Sequence, residues 1–201
     1  YKEIIISGNK RLNSETVLMF SGLKTGIDLS SDDLNLSIKK LYMTDYFMDV
    51  EINILNDILE IKVNENPIIQ SILINGIKNK STLKEVKEIT KKTERYPFLK
   101  NNIQEQKNLL LNLVRSKGFY FAEIETKIID NNNNSIDIIY DFTLGEKAII
   151  KNINFQGNKI FKDSKLRNVI KSEEGKFWKF ITSDKYLNET KIQIDENLLR
   201  K

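Results

Sequence analysis

A short apolar strand ending on glycine occurs three times in this chain. Ile4-Ile5-Ile6-Ser7-Gly8 returns as Ile72-Leu73-Ile74-Asn75-Gly76 and again as Ile153-Asn154-Phe155-Gln156-Gly157, with the glycines 68 and then 81 residues apart. In each copy apolar residues stand four and two positions before the glycine, the period-two alternation of a half-buried strand running into a turn. Self-similarity of this kind makes the chain a tandem array of one supersecondary unit, not a single large core.

The segment after each glycine repeats as well. Ser14, Thr82 and Asp163 stand six residues on as candidate helix caps, and Thr82 with Glu85 has the spacing of a capping box. A short helix should begin near Val17, Leu83 and Leu166. A longer one should carry the apolar stripes Leu34/Ile38/Leu41, Ile103/Leu110/Val114 and Leu187/Ile194/Leu198. Two strands then complete the first two copies. Val50, Ile52 and Ile54 alternate before an Asn56-Asp57 turn, and Leu59, Ile61 and Val63 after it. In the second copy Gly118 should end the helix as a left-handed cap. Ile124 and Ile128 mark one strand, the run Asn131 to Asn134 a polar hairpin turn, and Ile136, Ile138, Tyr140 and Phe142 the last strand.

Each unit therefore reads β-α-α-β-β: an α+β fold in which two helices cover one face of a three-stranded mixed sheet. The expected domains are residues 1–66, 67–146 and 147–201, the third lacking its last two strands. The linkers are short, which predicts a semi-rigid, elongated arm. The chain opens on Tyr1 without an export signal and ends inside a predicted helix, so we read it as a piece of a longer protein.

Composition excludes several chemistries. There is no histidine and no cysteine. Ser-His-Asp and Cys-His nucleophile pairs, His/Cys zinc sites, thiol redox chemistry and a histidine switch are all ruled out. The net charge of +4 is mixed along the chain, too mild a surplus for a nucleic-acid footprint. No apolar run reaches the length of a membrane span. Gly8, Gly76 and Gly157 stand in no phosphate-binding motif and read as turn glycines. Asp32-Asp33 and Glu173-Glu174 read as charge at helix starts, leaving a carboxylate-dependent hydrolase as the remote alternative. Lys39-Lys40, Lys91-Lys92 and Lys78/Lys80 read as solvated faces, and Phe177, Trp178 and Phe180 as packing residues.

The three-fold I-x-I-x-G pattern on a β-α-α-β-β unit resembles the POTRA (polypeptide-transport-associated) family. Thr44-Asp45-Tyr46-Phe47-Met48-Asp49-Val50 resembles its T-G-x-F-x-D-V, with Asp45 in the glycine's place. Val63-Asn64-Glu65-Asn66-Pro67 resembles the V-x-E-x-P junction between its first and second domains. Ile150 to Phe161, Phe177-Trp178 and Asp184-Lys185-Tyr186 match the order of its third domain. Asn9 and Asn158 have Ile77 as their counterpart, and Glu94-Arg95-Tyr96-Pro97-Phe98 lacks the glycine of Lys24-Thr25-Gly26.

The resemblance implies a non-enzymatic arm at the periplasmic face of the bacterial outer membrane, with no cofactor, metal or nucleic acid. Its implied partners are unfolded outer-membrane β-barrel proteins, periplasmic chaperones, accessory lipoproteins of the assembly machinery, and a membrane β-barrel C-terminal in the same protein. The arm of a related translocation or two-partner secretion transporter is the alternative. The family's strand after the second helix is an exposed edge, whose unpaired backbone groups can template an extended peptide. Here that edge is expected at Phe47 to Leu55 and Tyr120 to Ile129. The candidate contacts are Phe47, Val50, Glu51, Ile52 and Asn53 in the first copy, and Tyr120, Ala122, Glu123, Ile124 and Glu125 in the second. Gly8, Gly76, Gly157, Gly118, Pro67 and Trp178 are expected to serve structure.

Overall fold

The computed structural model describes residues 2–26, 28–175 and 185–200. The expected packing of Phe177, Trp178 and Phe180, and Asp184 of the family pattern, lie outside the described residues. The first repeat is β1 (Glu3–Ser7), α1 (Ser14–Ser21), α2 (Ser31–Tyr42), β2 (Phe47–Leu55) and β3 (Ile58–Glu65). The second is β4 (Ile68–Asn75), α3 (Lys80–Lys91), α4 (Lys100–Ser116), β5 (Glu123–Asn131) and β6 (Ser135–Thr143). Two helices come after them, α5 (Asp163–Arg167) and α6 (Glu189–Leu199).

The sheets have the same order, β1-β3-β2 and β4-β6-β5, so the last strand of each repeat is central. In the first sheet β1 runs parallel to β3 and β2 antiparallel to it. Asn56 and Asp57 both take positive φ, 51° and 63°, the two-residue turn whose twist suits a hairpin. The inward positions Leu59, Ile61 and Val63 of β3 pack with Phe47 and Val50 of β2 beneath Val17 and Leu41 of the helices. In the second repeat the buried set is Val86, Ile103, Leu110 and Val114 from the helices and Ile124, Ile136, Ile138, Tyr140 and Phe142 from alternate strand positions. Tyr140 donates to Gln106 of α4 at 2.8 Å, so this buried hydroxyl is satisfied, and burial pushes its ionisation well up.

By backbone contacts the chain divides into two compact units. One comprises Tyr1–Leu73, Thr93–Ile103 and Ile128–Ile138; the other Ile74–Lys92, Gln104–Lys127 and Ile139–Lys201.

Several helix starts differ from the expectation. The cap of α1 is Asn13, not Ser14, and that of α3 is Asn79, not Thr82; each asparagine carboxamide accepts the N–H three residues on. Asp163 is the first residue of α5, behind Lys162. The reciprocal capping box lies at Ser30 and Asp33 of α2, not at Thr82 and Glu85. Gly118 stands just beyond α4 with φ +99°, as a left-handed terminus requires.

The third copy of the strand pattern forms no strand: Ile153 to Gln156 belong to no ladder. In the first sheet β1 takes its hydrogen bonds from β3, the last strand of the repeat. No such partner exists here among the described residues. The chain satisfies itself otherwise. Ile150 donates to Lys185 O and Leu187 to Ala148 O, and Ile149 bridges Tyr186. Buried Asp195 of α6 accepts the Lys171 and Ser172 N–H groups at 2.6 and 3.1 Å.

Candidate peptide-binding edges

Among the described residues β2 is bonded on one side only. A bulge at Met48, where the register steps from Phe47 to Asp49, turns both Phe47 and Val50 into the core although they are three residues apart. The Val50 N–H is shared between the Asp49 carboxylate at 3.0 Å and the Tyr42 hydroxyl of α2 at 3.1 Å, away from β3. On the opposite residue, Val63, the carbonyl faces Gly8 of the β1 side. Val50, Ile52 and Ile54 therefore turn their N–H and C=O to the open side, while Glu51, Asn53 and Leu55 bond to β3. Tyr42 closes this edge at Val50 and leaves it open from Ile52 onward. Ile54 and Leu55 there are 47% and 71% exposed.

β5 is the corresponding edge of the second sheet. Its hairpin half exposes Ile128 and Ile129 side by side. Outward-pointing lysines commonly blunt such edges. β2 has none, and Lys127 of β5 is drawn onto the sheet's outer face by Asp141 at 2.7 Å. That face carries a polar ladder. Ser71 and Asn131 donate to Asp137 at 2.6 and 3.1 Å, and Asn75 donates to Asp141 at 2.7 Å. The Ser71 hydroxyl, then Asn131, hold the Asp137 carboxyl below its ordinary range; the Lys127 ammonium, then Asn75, do the same for Asp141.

The sequence-predicted contacts divide accordingly. Glu51, Ile52 and Asn53 lie on β2, and Phe47 and Val50 anchor it from the core. Glu123, Ile124 and Glu125 begin β5. Tyr120 and Ala122 precede the strand, correcting the expected start. The turn closed by Ala122 N–H to Phe119 O buries Ala122, and the Tyr120 hydroxyl donates to Glu189 at 3.0 Å. Pro67 sits between β3 and β4 with its carbonyl accepting the Phe98 N–H. Tyr42 gave no signal in the sequence, because a tyrosine in the last turn of a helix reads as ordinary packing.

Glu65 was legible only as part of a motif. It is 4% exposed, and its carboxylate accepts the backbone N–H groups of Lys10, Arg11 and Leu12 at 2.7 to 3.1 Å. A buried charge is tolerated here because three donors surround it. The paired acids serve structure too. Asp33 caps α2, its carboxyl held low by the Ser30 hydroxyl, and Glu174 pairs with Arg167 and accepts the Ile153 N–H. Among the described residues no group of three acids is placed to hold a metal, and no helix is long and apolar enough to cross a membrane.

The family model described as "POTRA: Surface antigen variable number repeat" matches residues 1–66, 67–145 and 148–201. The chain belongs to the POTRA family. Outer membrane protein assembly factor BamA of Neorickettsia risticii is 29% identical over 197 residues, 98% of this chain and 27% of that protein. BamA of Neisseria meningitidis serogroup B is 27% identical over 200 residues, 96% of this chain and 25% of that protein. The chain thus spans about a quarter of the length of these curated relatives. A crystal structure of Haemophilus influenzae BamA POTRA domains 3–5 matches with a TM-score of 0.50 at 16% identity, covering 99% of this chain and 84% of that one. At that identity the likeness concerns the POTRA fold alone.

Proposed function

We propose that this chain is the periplasmic arm of a BamA-like outer-membrane assembly factor, divided into POTRA domains at 1–66, 67–146 and 147–201. It receives unfolded outer-membrane β-barrel proteins and passes them to a C-terminal membrane barrel at the periplasmic face of the outer membrane, while docking accessory lipoproteins and periplasmic chaperones. The observation that carries this reading is the pair of edges open at Ile52–Leu55 and along β5, each with two adjacent exposed apolar residues. Main-chain pairing asks nothing of the guest's sequence, as suits a client that arrives as many different strands. In each of the exposed pairs, Ile54/Leu55 and Ile128/Ile129, the two side chains point to opposite faces of the strand, so one apolar residue is available on whichever face an added membrane β-strand places its own apolar side chains. Phe47 and Val50 hold β2 flat against its core, and the turn containing Tyr120 and Ala122 sets where β5 begins.

An amide-resolved NMR titration with outer-membrane β-strand peptides tests it. Shifts should gather at Ile52–Leu55 and Glu123–Ile129 and be absent with a scrambled polar peptide. Still amides at millimolar peptide would remove the substrate-receiving role from these two edges.

A further inference from the structure

We propose that the loop after β1, the loop before α4 and the hairpin tip of the second sheet form a binding site for an acidic segment of a partner protein. This site shares no residue with the edges of β2 and β5 and stands whether or not they pair with substrate. Two adjoining clefts carry it, both within the first compact unit. One, of about 680 Å³, is lined by Lys10, Arg11, Leu12, Tyr46, Ile68 and Asn132–Asn134. The other, of about 380 Å³, shares Arg11, Ile68 and Asn133 with it and adds Arg95.

Three features give the site its sign. Lys10, Arg11 and Arg95 come from loops more than eighty residues apart in sequence at the extremes. None of them makes an ion pair among the described residues. The nearby carboxylate, Glu65, makes no ion pair with them: it is buried and its oxygens are taken by backbone N–H groups. Asn134 lines the first cleft, and its buried side-chain Nδ2 has no hydrogen-bond partner among the described residues. A buried donor without an acceptor is uncommon in a folded protein and is relieved by a ligand that accepts.

Local backbone holds these groups in place. Arg95 and Asn134 both take the left-handed conformation, φ +68° and +54°. Their main chains are tied to β4 and its start, Arg95 N–H to Ile69 O at 2.8 Å and Ile68 N–H to Asn134 O at 3.1 Å.

The size and lining select the ligand. A single carboxylate or phosphate fills a small part of the first cleft, and each compartment has its own cation with Arg11 between them. Leu12, Tyr46 and Ile68 supply an apolar floor. Two acidic side chains flanking an apolar one, on an extended peptide, satisfy both. Arginine's planar fork suits carboxylates in this role.

The test uses this chain and an acetylated, amidated peptide with two acidic residues flanking a leucine, beside its twin with the acids replaced by amides. Binding monitored by NMR should move the Asn134 side-chain amide together with Arg11 and Asn133, and weaken as salt is raised. Arg11→Gln with Arg95→Gln should weaken it by about tenfold or more, the order expected of charged hydrogen bonds. Asn134→Gly keeps the left-handed backbone, so it should fold normally and still lose affinity. Equal response to the neutral twin overturns the proposal, as does full affinity in both variants. Binding of inorganic phosphate or of anionic phospholipid vesicles without the peptide overturns it too, and would make this a simple anion site or a membrane contact.

Discussion

Gly8 and Gly157 occupy the same place in the repeat and meet different surroundings. At Gly8, with φ +83°, an added Cβ would lie 2.1 Å from the Val63 carbonyl oxygen; at Gly76 the Phe142 carbonyl is 1.9 Å away; at Gly157 no described residue lies within 4 Å. A left-handed backbone costs an alanine roughly 1–2 kcal/mol, and the first two sites add a clash with a backbone atom that cannot turn aside. Gly8→Ala and Gly76→Ala should each lower urea stability by more than about 2 kcal/mol, whereas Gly157→Ala loses only the backbone cost of about 1 kcal/mol. Equal losses at all three would mean that the third glycine also abuts a strand. Glu65 is the other residue with an outsized role. Glu65→Ala strips the acceptor from three loop N–H groups, so a loss of roughly 2–4 kcal/mol is expected in urea unfolding, and Glu65→Gln, which keeps one oxygen, should fall between.

At the scale of the elements, β2 allows a clean separation of folding from pairing. Ile54 turns its N–H to the open side, so Ile54→Pro removes one edge donor and leaves the bonds to β3 in place; Asn53→Pro breaks the ladder itself. Ile54→Pro should keep native stability to within about 1 kcal/mol and abolish peptide shifts at Ile52–Leu55, while Asn53→Pro should unfold the first repeat by circular dichroism. Retained peptide binding in folded Ile54→Pro would exclude strand addition at β2. The ladder on the second sheet's outer face predicts a pH effect. Asp137 and Asp141 titrate below the ordinary 3.8 in the fold, so their contribution is complete above that value and is lost as pH falls through the lowered folded values. Carboxyl NMR should place both midpoints below 3.8, and Lys127→Met should move that of Asp141 upward, since the ammonium is its largest influence.

Element order and the buried faces of both sheets could be read from period-two alternation, because that pattern arises directly from burial on one side. Caps were misplaced by one to three residues, since Asn13-Ser14 and Asn79 to Thr82 offer several competent oxygens and only backbone geometry chooses among them. Where the family pattern has a glycine that Asp45 replaces, and where the first copy has Gly26 and the second has none, the sequence shows the departure but not the conformation. Asp45 at φ +61° and Arg95 at φ +68° adopt the left-handed shape that glycine would take. The edges themselves could be anticipated, but the Tyr42 cap on Val50 could not, because it joins a helix end to a strand through a bond that no local pattern encodes.

Across the whole molecule the same sequence pattern yields two sheets and, at Ile153 to Gln156, none. Alternation specifies which residues face inward, but a strand exists only when a neighbour accepts its hydrogen bonds. β3 and β6 are each paired on both sides and line the cores, so their amides should exchange only through the largest openings of their repeats. Ile153 N–H is held by the Glu174 carboxylate at 2.9 Å and should show intermediate protection. Asn154, exposed and outside any ladder, should exchange within about tenfold of the unstructured rate. Glu174→Gln should lower the protection of Ile153 and leave β6 unchanged. Hydrogen exchange resolved by residue decides it: if Asn154 and Phe155 are as slow as β6, the third strand has found a partner after all. A concentration dependence of that protection would then identify the partner as a second copy of the chain.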